Sequence, residues 1–174
     1  LGAFVSPCDG KIVEFGTISE DGRQSLLVKG TEYTVSELLE EEGGADYNGG
    51  GYMVIYLHPR DYHRVHSPID GHVVKARPIP GMIAPVADWA ISRIPSVFSR
   101  NERVVFDLAL PEEGPKMALV MVAAFGVSDI QSPYVETTPD VPVALAPGDP
   151  LGTFLLGSTV VMLWTRNALH LDEH

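Results

Sequence analysis

Residues 154–164 read FLLGSTVVMLW, an apolar strand pattern interrupted by a Gly-Ser-Thr triplet. Glycine weakens the interior of a strand and is usually found there at a bulge or where another group must approach the backbone closely. The Gly157–Ser158 peptide bond is therefore a place where a serine hydroxyl can attack the carbonyl of the preceding residue. Such an attack needs a base for the hydroxyl proton and donors for the developing oxyanion. An ordinary strand serine is the alternative that this segment alone leaves open.

The composition indicates one globular domain, residues 1–174. The chain has 174 residues, of which 45% are apolar and 20% charged, and its 17 glycines and 14 prolines favour a turn-rich β fold over a helical bundle. A net charge of −11 argues against nucleic acid as a partner, because phosphate contacts need clustered Lys and Arg. The only cysteine in the sequence, Cys8, rules out an internal disulfide and a cysteine-built metal site.

A repeated turn-and-strand unit organises the chain. The sequence SPCDGKIV at residues 6–13 returns as SPIDGHVV at residues 67–74. Each copy is a Pro-x-Asp-Gly turn that leads into a strand. We expect a mainly β fold with a few short helices, in a duplicated antiparallel architecture that resembles a barrel-sandwich hybrid. The repeat is also expected to bring Asp9, the histidine-rich residues 56–68 and Ser158 together.

Capping signals and hydrophobic periodicity predict the other elements. Thr34 and Glu37 form a capping box that starts a short helix through Leu39, and a second short helix is predicted at residues 88–93. Residues 43–51 have the acidic, glycine-rich composition of a surface loop. The proline-rich, apolar residues 76–100 have no clean strand period and are candidates for a lid or an acyl-chain contact surface. Strands are predicted at residues 11–15, 25–29, 52–57, 104–108, 117–122 and 153–164.

Two histidines supply the candidate bases. His63 and His66 are three residues apart, a spacing that places them on opposite faces of a strand but lets them converge on a turn. Neighbouring charged residues such as Arg64 can tune an imidazole near neutral pH. No acidic residue or third histidine lies at a persuasive ligand spacing, so no metal site is predicted.

Four blocks of sequence together resemble the phosphatidylserine decarboxylase family. They are residues 6–12, 56–68, 101–105 and 154–164, and the resemblance extends over residues 6–163. It implies that the chain cuts itself between Gly157 and Ser158, leaving a β chain of residues 1–157 and an α chain of residues 158–174. Ser158 is then converted into a pyruvoyl cofactor, which takes up electrons during decarboxylation.

The resemblance also implies roles for single residues. Asp9 would orient His66, and His66 would activate Ser158 for self-cleavage. His63 would protonate the substrate carbon after CO₂ is lost, and Asp70 would be the structural copy of the Asp9 turn. Candidate substrate contacts are Tyr62, Arg64 and Asn101.

The implied activity is that of a carboxy-lyase converting phosphatidylserine to phosphatidylethanolamine. The expected partners are the phospholipid or an amino-acid substrate, the α and β chains of one precursor, and a second copy of the chain in a homodimer. Peripheral membrane contact is expected through residues 76–100. The expected location is the cytoplasmic side of the membrane or the soluble cytoplasm.

Departures from the family pattern keep other functions open. Residues 122–130 read VAAFGVSDI where the family has small residues or glycine, and His58 replaces a small residue. These changes affect the pocket more than the self-cutting residues, so a soluble L-amino acid is an alternative substrate. A carrier module on the hybrid fold, with His63 or His66 accepting a group, and an uncleaved lipid-binding relative are further alternatives.

Overall fold

The computed structural model describes residues 4–41, 47–111, 116–125, 130–136, 142–155, 158–166 and 168–169. Within these ranges, strands dominate and the helices are of four or five residues. The elements in chain order are β1 Lys11–Thr17, β2 Ser25–Val28, β3 Thr31–Thr34, α1 Val35–Leu39, β4 Gly51–Leu57, β5 Arg64–His66, β6 Gly71–Ile79, α2 Asp88–Ile91, α3 Val97–Arg100, β7 Arg103–Ala109, β8 Lys116–Val122, β9 Ile130–Gln131, α4 Pro133–Glu136, β10 Val143–Leu145, β11 Pro150–Phe154 and β12 Ser158–Trp164.

A seven-stranded sheet forms the centre of the described structure. Its strand order is β1-β4-β12-β8-β7-β6-β10, and all these neighbours pair antiparallel. A three-stranded sheet, β5-β11-β9, and the β2–β3 hairpin complete the strands. The prediction of a mainly β, antiparallel fold with short helices is therefore confirmed, while the barrel-sandwich part of it stays a prediction.

The large sheet is covered on both faces. Its central strands are therefore apolar at nearly every position. Side chains such as Leu57, Met121 and Val160 form the first face, which packs against the small sheet β5-β11-β9. Side chains such as Val54 and Val161 form the second face, which packs against α1, the β2–β3 hairpin and residues 79–98. Alternation along each strand assigns every side chain to one of the two faces.

The two sequence repeats adopt the same local structure. The hydroxyl of Ser6 donates to the carbonyl of Cys8 at 2.8 Å, and the hydroxyl of Ser67 donates to the carbonyl of Ile69 at the same distance. Register shifts follow at equivalent places, in β1 between residues 12 and 14 and in β6 between residues 73 and 75. The repeated sequence therefore encodes a turn, a bulge and a strand twice.

The repeats also bind each other reciprocally. The backbone N–H of Val5 donates to the carbonyl of Pro68 at 3.0 Å, and that of His66 donates to the carbonyl of Pro7 at 2.8 Å. His66 is the equivalent of Val5 in the second repeat and Pro68 is the equivalent of Pro7, so the second bond repeats the first with the two copies exchanged. The two repeat turns are thus related by an approximate twofold symmetry, and this contact places the Asp9 turn beside β5.

The short helix α1 begins and ends as its sequence predicts. Thr34 and Glu37 form the capping box, with Glu37 N donating to Thr34 Oγ1 at 3.2 Å and Thr34 N donating to the Glu37 carboxylate at 3.1 Å. The helix ends at Leu39, followed by Glu40 in the left-handed conformation. Residues 42–46, which include the first four positions of the predicted acidic loop, lie outside the described residues.

One predicted element is wrong. Residues 153–164 do not form a single strand, because β11 ends at Phe154 in the small sheet and β12 starts at Ser158 in the large sheet. Leu155 lies at a bend between them and its side chain is 59% exposed, although its hydropathy suits a buried strand. The chain changes sheet here, and such a change requires a break in the ladder.

Candidate active site

Ser158 is the first residue of β12 and is fully buried. It pairs with Leu57 of β4, and its position alternates with Val160, so its side chain belongs to the first face of the large sheet. The Ser158 Oγ is buried without a hydrogen-bond partner among the described residues. A buried hydroxyl without a partner costs about 1–3 kcal/mol, so its retention points to a role other than stability. Gly157, the other residue of the predicted cleavage site, lies outside the described residues.

His63 lies on the side of the large sheet to which the Ser158 side chain points. It precedes β5 in the small sheet, and its backbone carbonyl accepts a hydrogen bond from Phe154 N at 3.0 Å, at the end of the strand that leads towards Ser158. The side chain is half-buried, and its Nε2 is fully buried without a partner among the described residues. A turn at residues 58–61 brings the chain from β4 to this position, with Asp61 accepting from His58 N at 2.9 Å.

His66 is held from both sides of its ring. Its Nδ1 lies 2.7 Å from the carbonyl oxygen of Gly148, and its Nε2 lies 3.1 Å from the hydroxyl of Tyr62. The rings of Tyr62 and His66 are stacked, with centroids 5.7 Å apart and planes inclined by 8°. Neither nitrogen of His66 is bonded to Asp9 or Ser158, so the predicted Asp9–His66–Ser158 chain of hydrogen bonds is not present in this structure.

Asp9 is exposed on the first repeat turn. The following residue, Gly10, lies against the carbonyl of Tyr56, where an added Cβ would stand 2.6 Å from the oxygen. Lys11 and Thr159 both pair with Tyr56 from opposite sides, which places the Asp9 turn and the start of β12 two strand spacings apart, about 10 Å. The fold thus brings Asp9, both histidines and Ser158 to one end of the sheet, without direct contact between Asp9 and Ser158.

Two of the three predicted substrate contacts remain accessible. Tyr62 is 49% exposed and reaches His66, and Arg64 is exposed on β5. Asn101 differs, because it is fully buried. Its Nδ2 donates to the carbonyls of Ala84 and Ala123, each at 2.8 Å, and its Oδ1 accepts from Ala84 N at 3.2 Å. Both N–H groups of Asn101 are used within the protein, where they join Ala84 to Ala123 just after the end of β8. Its contact with substrate stays a prediction.

The sequence reasoning missed Thr159. Its side chain is fully buried on the second face, and its Oγ1 is without a hydrogen-bond partner among the described residues. Ser158 Oγ, Thr159 Oγ1 and His63 Nε2 make up three of the five such side-chain atoms. The signal available from sequence was a threonine in a strand where valine would fill the same volume without burying a hydroxyl. Two of these atoms, Ser158 Oγ and Thr159 Oγ1, lie at the start of β12 on opposite faces of the large sheet.

Neither a thiol nor a metal fits the described part of this site. Cys8 is buried, and burial together with the neighbouring Asp9 charge raises the pKa of its thiol to about 12, so it is not a nucleophile near neutral pH. No cluster of three or more potential metal ligands exists among the described residues. Residues 126–129, part of the segment that departs from the family pattern, lie outside the described ranges.

Comparisons with known proteins point to one family. A family model described as phosphatidylserine decarboxylase matches residues 1–173. Over 182 residues the chain is 38% identical to the phosphatidylserine decarboxylase proenzyme of Acidovorax ebreus (strain TPSY), covering 96% of this chain and 63% of that protein. The proenzyme of the same name from Psychrobacter arcticus is 34% identical over 176 residues (97% and 62% covered), and that from Alcanivorax borkumensis is 37% identical over 176 residues (91% and 58% covered). The chain spans about three fifths of the length of these curated relatives.

Proposed function

This chain belongs to the phosphatidylserine decarboxylase family, and we propose that it is a self-processing, pyruvoyl-dependent decarboxylase of phosphatidylserine. The name proenzyme, carried by the relatives, fits processing from a precursor. The observation that carries the proposal is the hydroxyl of Ser158 at the start of β12, which is buried without a hydrogen-bond partner among the described residues. An ordinary strand serine gains nothing from this arrangement, whereas a nucleophile needs an uncommitted hydroxyl.

The proposed self-cleavage converts Ser158 into a pyruvoyl group in three steps. Ser158 Oγ bonds to the Gly157 carbonyl carbon while the Gly157–Ser158 amide bond breaks, and its proton passes through a base to the departing nitrogen. A base then takes the Cα proton of residue 158, and elimination from the ester leaves the Gly157 carboxylate and a dehydroalanine at position 158. Hydrolysis then consumes one water and releases one ammonia, and residue 158 becomes a pyruvoyl group. The products are residues 1–157 and 158–174.

Three residues are assigned to the proton transfers of self-cleavage and decarboxylation. We assign His66 as the base for Ser158 and Asp9 as the carboxylate that favours its charged form, which requires the Tyr62 hydroxyl to leave Nε2 and the Asp9 turn to approach. His63 is assigned as the acid that returns a proton to the substrate, because its Nε2 is buried and makes no hydrogen bond within the described part of the chain. The Nε2 of His63, which is buried without a partner among the described residues, fits a new polar group at position 158. When formed, that group supplies an electron sink for decarboxylation.

The test is an intact-mass measurement of the purified chain. We expect two pieces, with the piece starting at residue 158 lacking one ammonia relative to a serine terminus and reacting with phenylhydrazine. CO₂ release from phosphatidylserine vesicles, compared with a panel of free L-amino acids, then decides the substrate. A chain that stays whole over a range of pH contradicts the proposal, and activity on free amino acids alone contradicts the lipid substrate.

The apolar residues 76–100 support a lipid substrate. Within them, Met82, Ile83 and Trp89 are exposed, and Trp89 is 56% accessible. Residues 82–84 are tied by Asn101 to Ala123 at the end of β8, next to the start of β12, so Met82 and Ile83 share the Ser158 end of the sheet. No helix in the described part of the chain is long and apolar enough to cross a bilayer. We propose that this segment contacts the membrane surface peripherally; the cytoplasmic side and a homodimer stay predictions.

Trp89 provides a direct readout of this membrane contact. Trp89 and Trp164 are the two tryptophans of the sequence, and Trp164 is buried. We expect a blue shift of tryptophan emission on adding phosphatidylserine-containing vesicles, and no shift in Trp89→Phe, which keeps only the buried reporter. Trp89→Ser should weaken vesicle partitioning roughly tenfold, because burying an aromatic side chain is worth at least about 1.5 kcal/mol. Unchanged partitioning of Trp89→Ser would place the membrane contact elsewhere.

A further inference from the structure

We propose that Tyr62 is a positioning residue that closes the basic nitrogen of His66 and must release it before self-cleavage. This inference rests on the proposed function, in which His66 is the base for Ser158. It adds a gate to the site: the ring of the proposed proton acceptor is held by the carbonyl of Gly148, and its other nitrogen is occupied by a neighbouring phenol. The rate of the cut is then set partly by how often Tyr62 leaves.

The hydrogen bonds of His66 fix which nitrogen is basic. The carbonyl of Gly148 can only accept, so His66 Nδ1 donates to it at 2.7 Å. In the neutral ring the remaining nitrogen, Nε2, carries the lone pair, and the hydroxyl of Tyr62 donates to it at 3.1 Å. The one atom of His66 that can take the proton of Ser158 is therefore already engaged.

His66 is the fixed partner and Tyr62 the movable one. The backbone N–H of His66 donates to Pro7, its ring is tied to Gly148, and the residue lies in β5, which pairs with β11. Tyr62 precedes β5, is about half exposed, and stacks on the His66 ring. Outward rotation of Tyr62 breaks one exposed hydrogen bond and one ring stack and leaves the core packing intact.

The cleavage rate of Tyr62→Phe distinguishes a gate from a proton relay, because the two roles predict changes in opposite directions. If Tyr62 blocks Nε2, Tyr62→Phe keeps the stacked ring, frees the nitrogen and accelerates cleavage by roughly two- to tenfold, the range expected for loss of one exposed hydrogen bond. If the phenol instead passes the proton from Ser158 to His66, the same substitution slows cleavage.

The experiment follows the appearance of the piece starting at residue 158 in freshly refolded chains. Tyr52→Phe is the matched control, because its hydroxyl donates to Leu27 at 2.7 Å at the opposite end of β4, and its cleavage rate should equal that of the wild type. A slower or unchanged rate in Tyr62→Phe overturns the gate. A wild-type chain that never splits overturns the proposed function, and the gate falls with it.

A second readout does not depend on cleavage. In the Ser158→Ala chain, ¹⁵N shifts of the His66 ring should show Nδ1 protonated and Nε2 unprotonated and hydrogen-bonded. Adding Tyr62→Phe should move the Nε2 resonance towards that of a free lone pair and leave Nδ1 in place. An Nε2 resonance that does not respond means that Tyr62 does not bind His66, which overturns the gate even where cleavage is normal.

Discussion

Ser158→Ala is expected to keep the chain as a single species of 18.8 kDa, the mass of the full sequence, under conditions in which the wild type splits. The substitution removes the only oxygen that we assign as the attacking group, so the cleavage rate should fall on the order of a thousandfold or more. The fold should be unaffected or slightly stabilised, because the lost hydroxyl is buried without a partner among the described residues. Electrophoresis under denaturing conditions and intact mass measure both chains directly.

Ser132→Ala is the matched control for this result. Ser132 is also a buried serine, but its hydroxyl donates to the carbonyl of Leu151 at 2.7 Å. Its removal should cost about 1–2 kcal/mol of stability and leave cleavage intact. A Ser158→Ala chain that still splits between residues 157 and 158 would remove the nucleophile from our proposal. Loss of cleavage in both variants would indicate a general defect in folding and would require comparison at equal folded fraction.

The parts of the fold that sequence predicted are those governed by neighbouring residues. The capping box of Thr34 and Glu37 and the two Pro-x-Asp-Gly turns depend on contacts within a few positions, and all are present. Strands β4, β7 and β8 extend the predicted ranges by one residue at one or both ends, because buried strands are continuous apolar runs bounded by turn residues. Local chemistry was sufficient for these elements.

Prediction failed where burial and pairing are decided at a distance. Leu155 reads as core by hydropathy, yet it is exposed because the chain moves there from the small sheet to the large one. The amide of Asn101 donates to the backbones of Ala84 and Ala123, which are 17 and 22 residues away, and these partners were not predicted. No periodicity in the sequence carries this information.

In the candidate site, too, local motifs could be predicted from the sequence and contacts between distant residues could not. Ser158 and the two histidines were found from motifs, whereas the engagement of His66 by Tyr62 and Gly148 was not, since Gly148 is 82 residues away in sequence. The predicted role of Asp9 in orienting His66 stays a prediction, because that role requires an arrangement other than the one described here. Sequence identified the candidate groups, and the fold determines which hydrogen bonds they already make.

Arg103→Met is expected to lower the free energy of unfolding by about 3 kcal/mol or more. The guanidinium of Arg103 is buried and donates to three carbonyls, those of Leu38 at 2.8 Å, Glu37 at 2.9 Å and Asn101 at 3.0 Å. Two of these belong to the last turn of α1, whose carbonyls have no partner within the helix. Methionine fills much of the volume but leaves the three carbonyls buried and unsatisfied, at about 1 kcal/mol or more each.

The charge of Arg103 is balanced mainly by dipoles. Burial lowers the pKa of its guanidinium, and the charge of Glu40 counteracts this. The negative end of the α1 dipole also stabilises the positive charge. Arg103→Lys should recover only part of the lost stability, because one ammonium group cannot reach the carbonyls on both sides that the planar guanidinium reaches. Urea denaturation in the Ser158→Ala background, where one covalent chain unfolds, measures the effect. The exposed Arg93→Met should stay within about 0.5 kcal/mol of its parent, and equal midpoints for Arg93→Met and Arg103→Met would show that Arg103 does not hold α1 to the sheet.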